Sequence, residues 1–108
     1  VFYTAAEPQT VEFLVSLVKS ICPQYVIETG TFHGDTAKAI GGALGIGRCF
    51  FDSIEIDQQS VDIARANLDR TDVRVRHMDS RDFIPDRPID LAFLDSDPNI
   101  RFEEAEHF

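Results

Sequence analysis

The stretch "VIETGTFHGDTAKAI", Val26 to Ile40, decides how this chain reads. An apolar pair runs into an acidic residue and two glycines, Gly30 and Gly34, and a helical pattern follows. A strand that turns on glycine into a helix aims the free amides of the helix start at whatever lies above the strand's carboxyl end, which suits an anionic group. Gly30 permits close backbone approach, and Gly34 lets the helix begin tightly against the strand. The spacing narrows the ligand. A dinucleotide fingerprint needs G-x-G-x-x-G, whereas Thr31 and Phe32 follow Gly30 here. A P-loop ends in Gly-Lys-Ser or Gly-Lys-Thr, whereas this turn reads Gly34-Asp35-Thr36. A carboxylate is therefore a better candidate than a phosphate.

Outward from that turn, strand and helix patterns alternate. Pro8 to Cys22 puts Val11, Leu14, Val15, Val18 and Ile21 on one helical face, with Pro8 suited to a first turn and Pro23 to a stop. Tyr25 to Glu28 reads as a strand, Asp35 to Leu44 as a helix, Cys49 to Glu55 as a second strand, and Gln58 to Leu68 as a helix burying Val61, Ala64 and Leu68. Val73, Val75 and His77 alternate with Arg74 and Arg76, the pattern of an edge strand with one wetter face. The run "IDLAFL", Ile89 to Leu94, is the most apolar and reads as central. This alternation predicts an α/β doubly wound domain with a parallel sheet and right-handed crossovers.

Composition bounds what such a domain does. The 108 residues, 44% hydrophobic and 27% charged, suit one globular domain, with no run long enough for a membrane span and no signal-peptide pattern, so a cytoplasmic protein is expected. Nineteen acidic against ten basic residues give a net charge of −9, which would repel a phosphate backbone and disfavours nucleic acid. Cys22 and Cys49 have neither zinc-site spacing nor the density of a disulfide scaffold and read as buried thiols.

The motifs together resemble class I S-adenosylmethionine-dependent methyltransferases, and within them the catechol-type branch of small-molecule O-methyltransferases. "VIETGTFHGDT" is similar to the first motif, "SIEIDQQSVDIARANL" to the second and its helix, "RHMDSRDFIP" to the third, and "IDLAFLDSDPN" to the fourth strand and its loop. The resemblance implies a Rossmann-like sheet with helices on both faces, of which four strands in the order 3-2-1-4 are present. It also implies roles. Glu28 would lie near the methionine part of the cofactor, Gly30, Thr31 and Phe32 along its path with Gly34 closing the turn, and the Thr36 hydroxyl at its carboxylate. Glu55 would accept both ribose hydroxyls, as an acceptor-only group can, with Ile56 beside it. Asp57, offset by two residues, would instead start the next helix. Asp79 by its side chain and Ser80 by backbone or hydroxyl would bracket the adenine edge. Asp95 would face the methyl-transfer site as the catalytic carboxylate and, by the same resemblance, supply one ligand to magnesium or another divalent cation. His33 reads as solvated or stacked rather than catalytic.

Two departures from the family pattern stand out. Catechol-type enzymes carry a lysine base three residues after the strand-four aspartate, and this chain has Pro98. Full members are also close to twice as long, and the chain begins at Val1 without methionine. It is therefore expected to be the cofactor-binding part of a longer protein, with an open edge at strand four that favours self-association. A non-catalytic cofactor module is the first alternative; a nicotinamide-dependent oxidoreductase is the second, weakened by the missing G-x-G-x-x-G. The run from Asp95 to Glu106 nearly spells a calcium loop, with Asp95, Asp97, Asn99 and Glu106 at ligand positions. Ile100 stands where that loop needs glycine, and Pro98 stiffens it.

Overall fold

In the computed structural model, which describes residues 8–108, strands and helices alternate as the periodicity requires. Helix α1 (Pro8–Ile21) starts on proline, whose missing N–H is no loss in a first turn, and stops where Cys22 turns left-handed at φ 48° ahead of Pro23. There follow β1 (Tyr25–Thr29), α2 (Asp35–Leu44), β2 (Phe50–Glu55), α3 (Gln58–Asn67), β3 (Val73–His77) and β4 (Leu91–Leu94). Short 3-10 turns occupy Ser80–Asp82 and Pro98–Ile100, and α4 (Arg101–His107) completes the described chain. Against the sequence reading, β1 extends one residue to Thr29, β2 begins one later and α3 ends one earlier.

All strand pairs are parallel, in the order β3-β2-β1-β4. β3 lies at an edge, as its alternation predicts. The central position expected for "IDLAFL" is not what is found: β4 is the other outer strand of the described sheet, shorter than the apolar run and only half-buried. Asp90, just before β4, holds the start of β1 twice over: its carboxylate accepts the N–H groups of Gln24 and Tyr25 at 2.8 and 3.1 Å, and its own N–H donates to the Tyr25 carbonyl at 3.0 Å.

The two faces of the sheet are covered differently. On one, α1, α2 and α3 bury an apolar core that includes Val18, Val26, Ile40, Phe51, Val61 and Val75. On the other, Tyr25, Ile27, Ile54 and Phe83 pack with Phe108, at the end of α4. The supposed wetter half of β3 faces this second side. Arg74 and Arg76 reach the fully buried Asp52 at 2.9 and 3.0 Å, and the Tyr25 hydroxyl donates to the same carboxylate at 2.6 Å, so the buried charge is paired. The cysteines also depart from expectation: Cys22, in the turn after α1, is exposed, and Cys49, just before β2, is partly exposed; both are free thiols. No helix among the described residues is long and apolar enough to cross a membrane.

Candidate functional site

The carboxyl ends of the strands meet at Gly30. Its φ is +80°, and a Cβ there would lie 2.3 Å from the Asp95 carbonyl oxygen and 2.9 Å from the Ser96 Cα, so the close approach expected of this glycine is to the chain leaving β4. Gly30 N–H donates to the Ile54 carbonyl at 2.9 Å, and Asp95 N–H to the Thr29 carbonyl at 3.0 Å, which ties the ends of β2, β1 and β4 together. Phe32 adopts φ 50°, and its N–H donates to Glu55 Oε1 at 2.8 Å. The His33 ring stacks on Phe32 with centroids 4.0 Å apart. Gly34 is tight against a different neighbour than expected: a Cβ there would meet Leu68 Cδ1, just past the end of α3, at 3.0 Å.

A cleft of about 410 Å³ opens above these strand ends, within the range of ~300–1,000 Å³ usual for small-ligand sites. It gathers Gly30, Phe32, Glu55, Ile56, Asp79, Ser80 and Asp95 from the ends of all four strands. Thr31 and Thr36 line a smaller recess beside it, together with His33 and Asp95. Glu28 lines neither; it is buried, at 1% exposure. Gly34 shapes the turn without lining either hollow.

Strand register explains the electrostatics. Glu28 stands opposite Ser53 of β2, whose hydroxyl donates to Glu28 Oε1 at 2.5 Å and shares a second hydrogen bond with Thr31 Oγ1 at 2.6 Å. Burial pushes the Glu28 carboxyl up to about 8; the Ser53 hydrogen bond opposes this, and the charges of Asp95 and Glu55 add to it. Burial also raises the Asp95 carboxyl, with the Arg101 guanidinium at 3.4 Å opposing.

Glu55 ends β2 with both oxygens turned to backbone amides. Oε1 takes Phe32 N–H and Oε2 takes Asp57 N–H at 3.0 Å, which leaves each oxygen a lone pair for a ligand hydroxyl. Ile56 beside it is exposed and supplies an apolar wall. Asp57 caps α3 by accepting Ser60 N–H at 2.9 Å, as its offset predicts.

Asp79 and Ser80 are more committed than the sequence reading allowed. The Asp79 carboxylate accepts the Arg81 backbone N–H at 2.9 Å and its guanidinium at 3.0 and 2.8 Å, and these hydrogen bonds hold it down at about 2. The Ser80 hydroxyl is buried and donates to Glu104 Oε2. The calcium-like run folds otherwise than a calcium loop: Asp97 accepts Asn99 N–H at 2.9 Å and caps a 3-10 turn, while Glu106 sits on α4. Among the described residues no group of three His, Cys, Asp or Glu side chains is placed to hold a metal ion.

Several residues of this site escaped the sequence reading: Ser53, Arg81, Ser96, Arg101 and Glu104. Ser53 carried a signal, a small hydroxyl in the middle of β2 between Asp52 and Ile54. Arg81, two residues after Asp79, carried another, since that spacing suits a local ion pair. Glu104 carried none.

No protein-family model and no curated protein matches the chain. Solved structures do. An O-methyltransferase from Bacillus cereus in complex with S-adenosylhomocysteine superposes with a TM-score of 0.86 at 24% identity, over 96% of this chain and 51% of that one. A methyltransferase from Podospora anserina bound to the same molecule gives 0.88 at 12% identity, over 96% and 47%. An O-methyltransferase from Streptomyces achromogenes involved in tomaymycin synthesis, in complex with S-adenosylmethionine, gives 0.84 at 18%, over 96% and 51%. The chain thus has the Rossmann-like fold of these methyltransferases, and it spans about half the length of the structures it matches.

Proposed function

We propose that this chain binds S-adenosylmethionine and belongs to a methyltransferase that moves a methyl group to an oxygen of a small molecule. The observation that carries this reading is Glu55: an acceptor-only carboxylate at the end of β2, held by two backbone amides, facing the cleft beside the Gly30 turn. Two lone pairs on fixed oxygens suit a vicinal diol, the ribose hydroxyls of an adenosyl group. A nicotinamide dinucleotide carries the same diol, but the turn at Gly30 lacks its G-x-G-x-x-G, and the solved structures of the same fold name S-adenosylmethionine or its product.

The remaining residues fit the same ligand. Gly30 and Phe32, both at positive φ, line the cleft beside Glu55, and in the adjoining recess Thr36 supplies a hydroxyl for an amino-acid carboxylate, while the Thr31 hydroxyl is committed to Ser53. Glu55 and Asp95 bring acidic side chains to this end of the sheet, which complements a cationic sulfonium, while the buried Glu28 beneath them, its carboxyl raised to about 8, holds its proton near neutral pH. Ile56 offers an apolar surface to a base, and Ser80, its hydroxyl already committed, would meet the base's edge through its backbone. Asp79 would do so with the lone pairs that Arg81 leaves. When bound, the cofactor supplies an electrophilic methyl group on its sulfonium. The chain's own contribution is alignment: it holds the adenosyl group at the strand ends and presents Asp95 at the methyl end. A metal ligated by Asp95 gains no support from this geometry, because the cation beside that carboxylate is Arg101.

One observation favours a second reading, a cofactor-binding module without transfer activity. Pro98, at the position of the lysine base in catechol-type enzymes, opens a 3-10 turn and has no titratable group. A cytoplasmic location belongs to either reading and is consistent with the exposed free thiol of Cys22.

Retention of radiolabelled S-adenosylmethionine by the chain and by its Glu55→Ala variant tests the proposal. Wild type should retain label and the variant should not; equal retention would overturn the ribose assignment. A change of NADH fluorescence on mixing would turn the reading toward a nicotinamide enzyme, and methylated product from added small hydroxylated acceptors would rule out the inert module.

A further inference from the structure

Helix α4 is built inside out. Phe102 is 86% exposed, whereas Glu104, two residues on, is fully buried. Burying a carboxylate is costly unless its oxygens are hydrogen-bonded, and Glu104 is met by three hydroxyls. Thr29 Oγ1 donates to Oε1 at 3.1 Å, Ser96 Oγ donates to Oε1 at 2.7 Å, and Ser80 Oγ donates to Oε2. The donors come from three separate places: Thr29 ends β1, Ser80 opens the turn after β3, and Ser96 follows β4. Ser80 and Ser96 line the cleft, and Thr29 immediately precedes Gly30, which lines it too.

We infer that Glu104 is a positioning residue for the cleft: its buried carboxylate draws the ends of β1, β3 and β4 into one arrangement and thereby sets the adenosyl-binding geometry. The inference rests on the cofactor reading for the identity of the ligand. The tie itself rests on the three hydrogen bonds. Glu104 touches no part of the cleft directly, since it is absent from the lining, and acts through Ser80 and Ser96. An acceptor-only group suits the task, because each hydroxyl can donate to it without competition from a donor on the same side chain. A chain that needed only to anchor α4 would do so more cheaply with an apolar residue, and α4 instead turns its phenylalanine outward.

The test uses Glu104→Gln, which keeps the shape but sets an amide donor against hydroxyls that otherwise donate. Calorimetric affinity for S-adenosylhomocysteine and amide hydrogen exchange are measured on both proteins. Glu104→Gln should weaken binding by about tenfold or more and speed exchange in residues 78–83 and 95–99, leaving α1 to α3 protected. Val18→Ala, in the apolar core of the other face, is the control: it should lower the melting temperature without weakening binding. Ser96→Ala should give a smaller loss, and adding it to Glu104→Gln should cost less than its loss alone, because the two share one interaction. If Glu104→Gln does not fold, Ser96→Ala and Ser80→Ala carry the same comparison against Val18→Ala. Wild-type affinity in the folded Glu104→Gln variant, or an equal loss in Val18→Ala, would overturn the inference. Failure of the wild type itself to bind would overturn the cofactor reading, and unchanged exchange in the two loops of Glu104→Gln would then overturn the tie as well.

Discussion

The sheet has a hollow at each end, and the larger one is the less equipped. At the amino end a depression of about 560 Å³ is lined by Gln24, Gly47, Arg48, Cys49, Phe50, Asp72 and Arg74. At the carboxyl end the cleft is about 410 Å³, yet it gathers glycine held at positive φ by close packing, a carboxylate with free lone pairs, and loops tied to a buried glutamate. Volume alone does not single out the carboxyl end. Converging polar groups held by buried partners distinguish a site from a gap between surface side chains. Parallel strands explain the asymmetry, because every strand delivers its last residue, and the loop after it, to the same end.

Glycine substitution is the strongest way to break this comparison. Gly30 and Gly47 share nearly the same φ, 80° and 78°, but a Cβ at Gly30 would strike the Asp95 carbonyl and one at Gly47 would meet nothing within 4 Å. Gly47→Ala should cost only the left-handed backbone penalty, roughly 1–2 kcal/mol in a urea melt. Gly30→Ala should cost considerably more and abolish cofactor binding; equal losses in the two variants would remove the distinction.

A smaller effect is expected at Glu55. Glu55→Gln keeps one acceptor oxygen but turns an NH2 group toward an amide donor, Phe32 N–H or Asp57 N–H. Calorimetry should read a weakening of S-adenosylhomocysteine binding of about tenfold, the order of one hydrogen bond to a charged group. Arg48→Ala, in the amino-end hollow, should leave that affinity unchanged.

Smaller again is a dependence on pH that belongs to the carboxyl end. The Glu28 carboxyl rises from its ordinary 4.5 to about 8 in the folded chain, chiefly through burial. Between those values the folded protein holds a proton that the unfolded chain has released, so Glu28's contribution to stability falls as pH rises through that window and is constant above it. Glu28→Gln has no such proton. Its melting temperature relative to wild type should therefore improve as pH rises through the window, and a constant difference would contradict the raised carboxyl.

Much of this was legible in the sequence because it is local. The alternation of apolar patterns gave α2 and β3 to the residue, Asp57 announced itself as a helix cap by its offset from Glu55, and the Gly30 turn marked the carboxyl end of β1. What stayed hidden depends on partners distant along the chain. Asp90 passed as part of the apolar run "IDLAFL", and only the fold shows that its oxygens take the N–H groups of Gln24 and Tyr25. Arg74 and Arg76 looked solvated because their partner, Asp52, lies on another strand. Glu104 was hidden most completely: helical periodicity assigns buried positions to apolar side chains, and here three hydroxyls from separate strand ends reverse that assignment.

The central claim is that the carboxyl-end cleft holds an adenosyl cofactor, and a calorimetric titration of the chain with S-adenosylhomocysteine tests it most directly, once a cooperative thermal melt has established that the chain is folded. Saturable one-to-one binding is the predicted result. No binding to a cooperatively folded chain would contradict it.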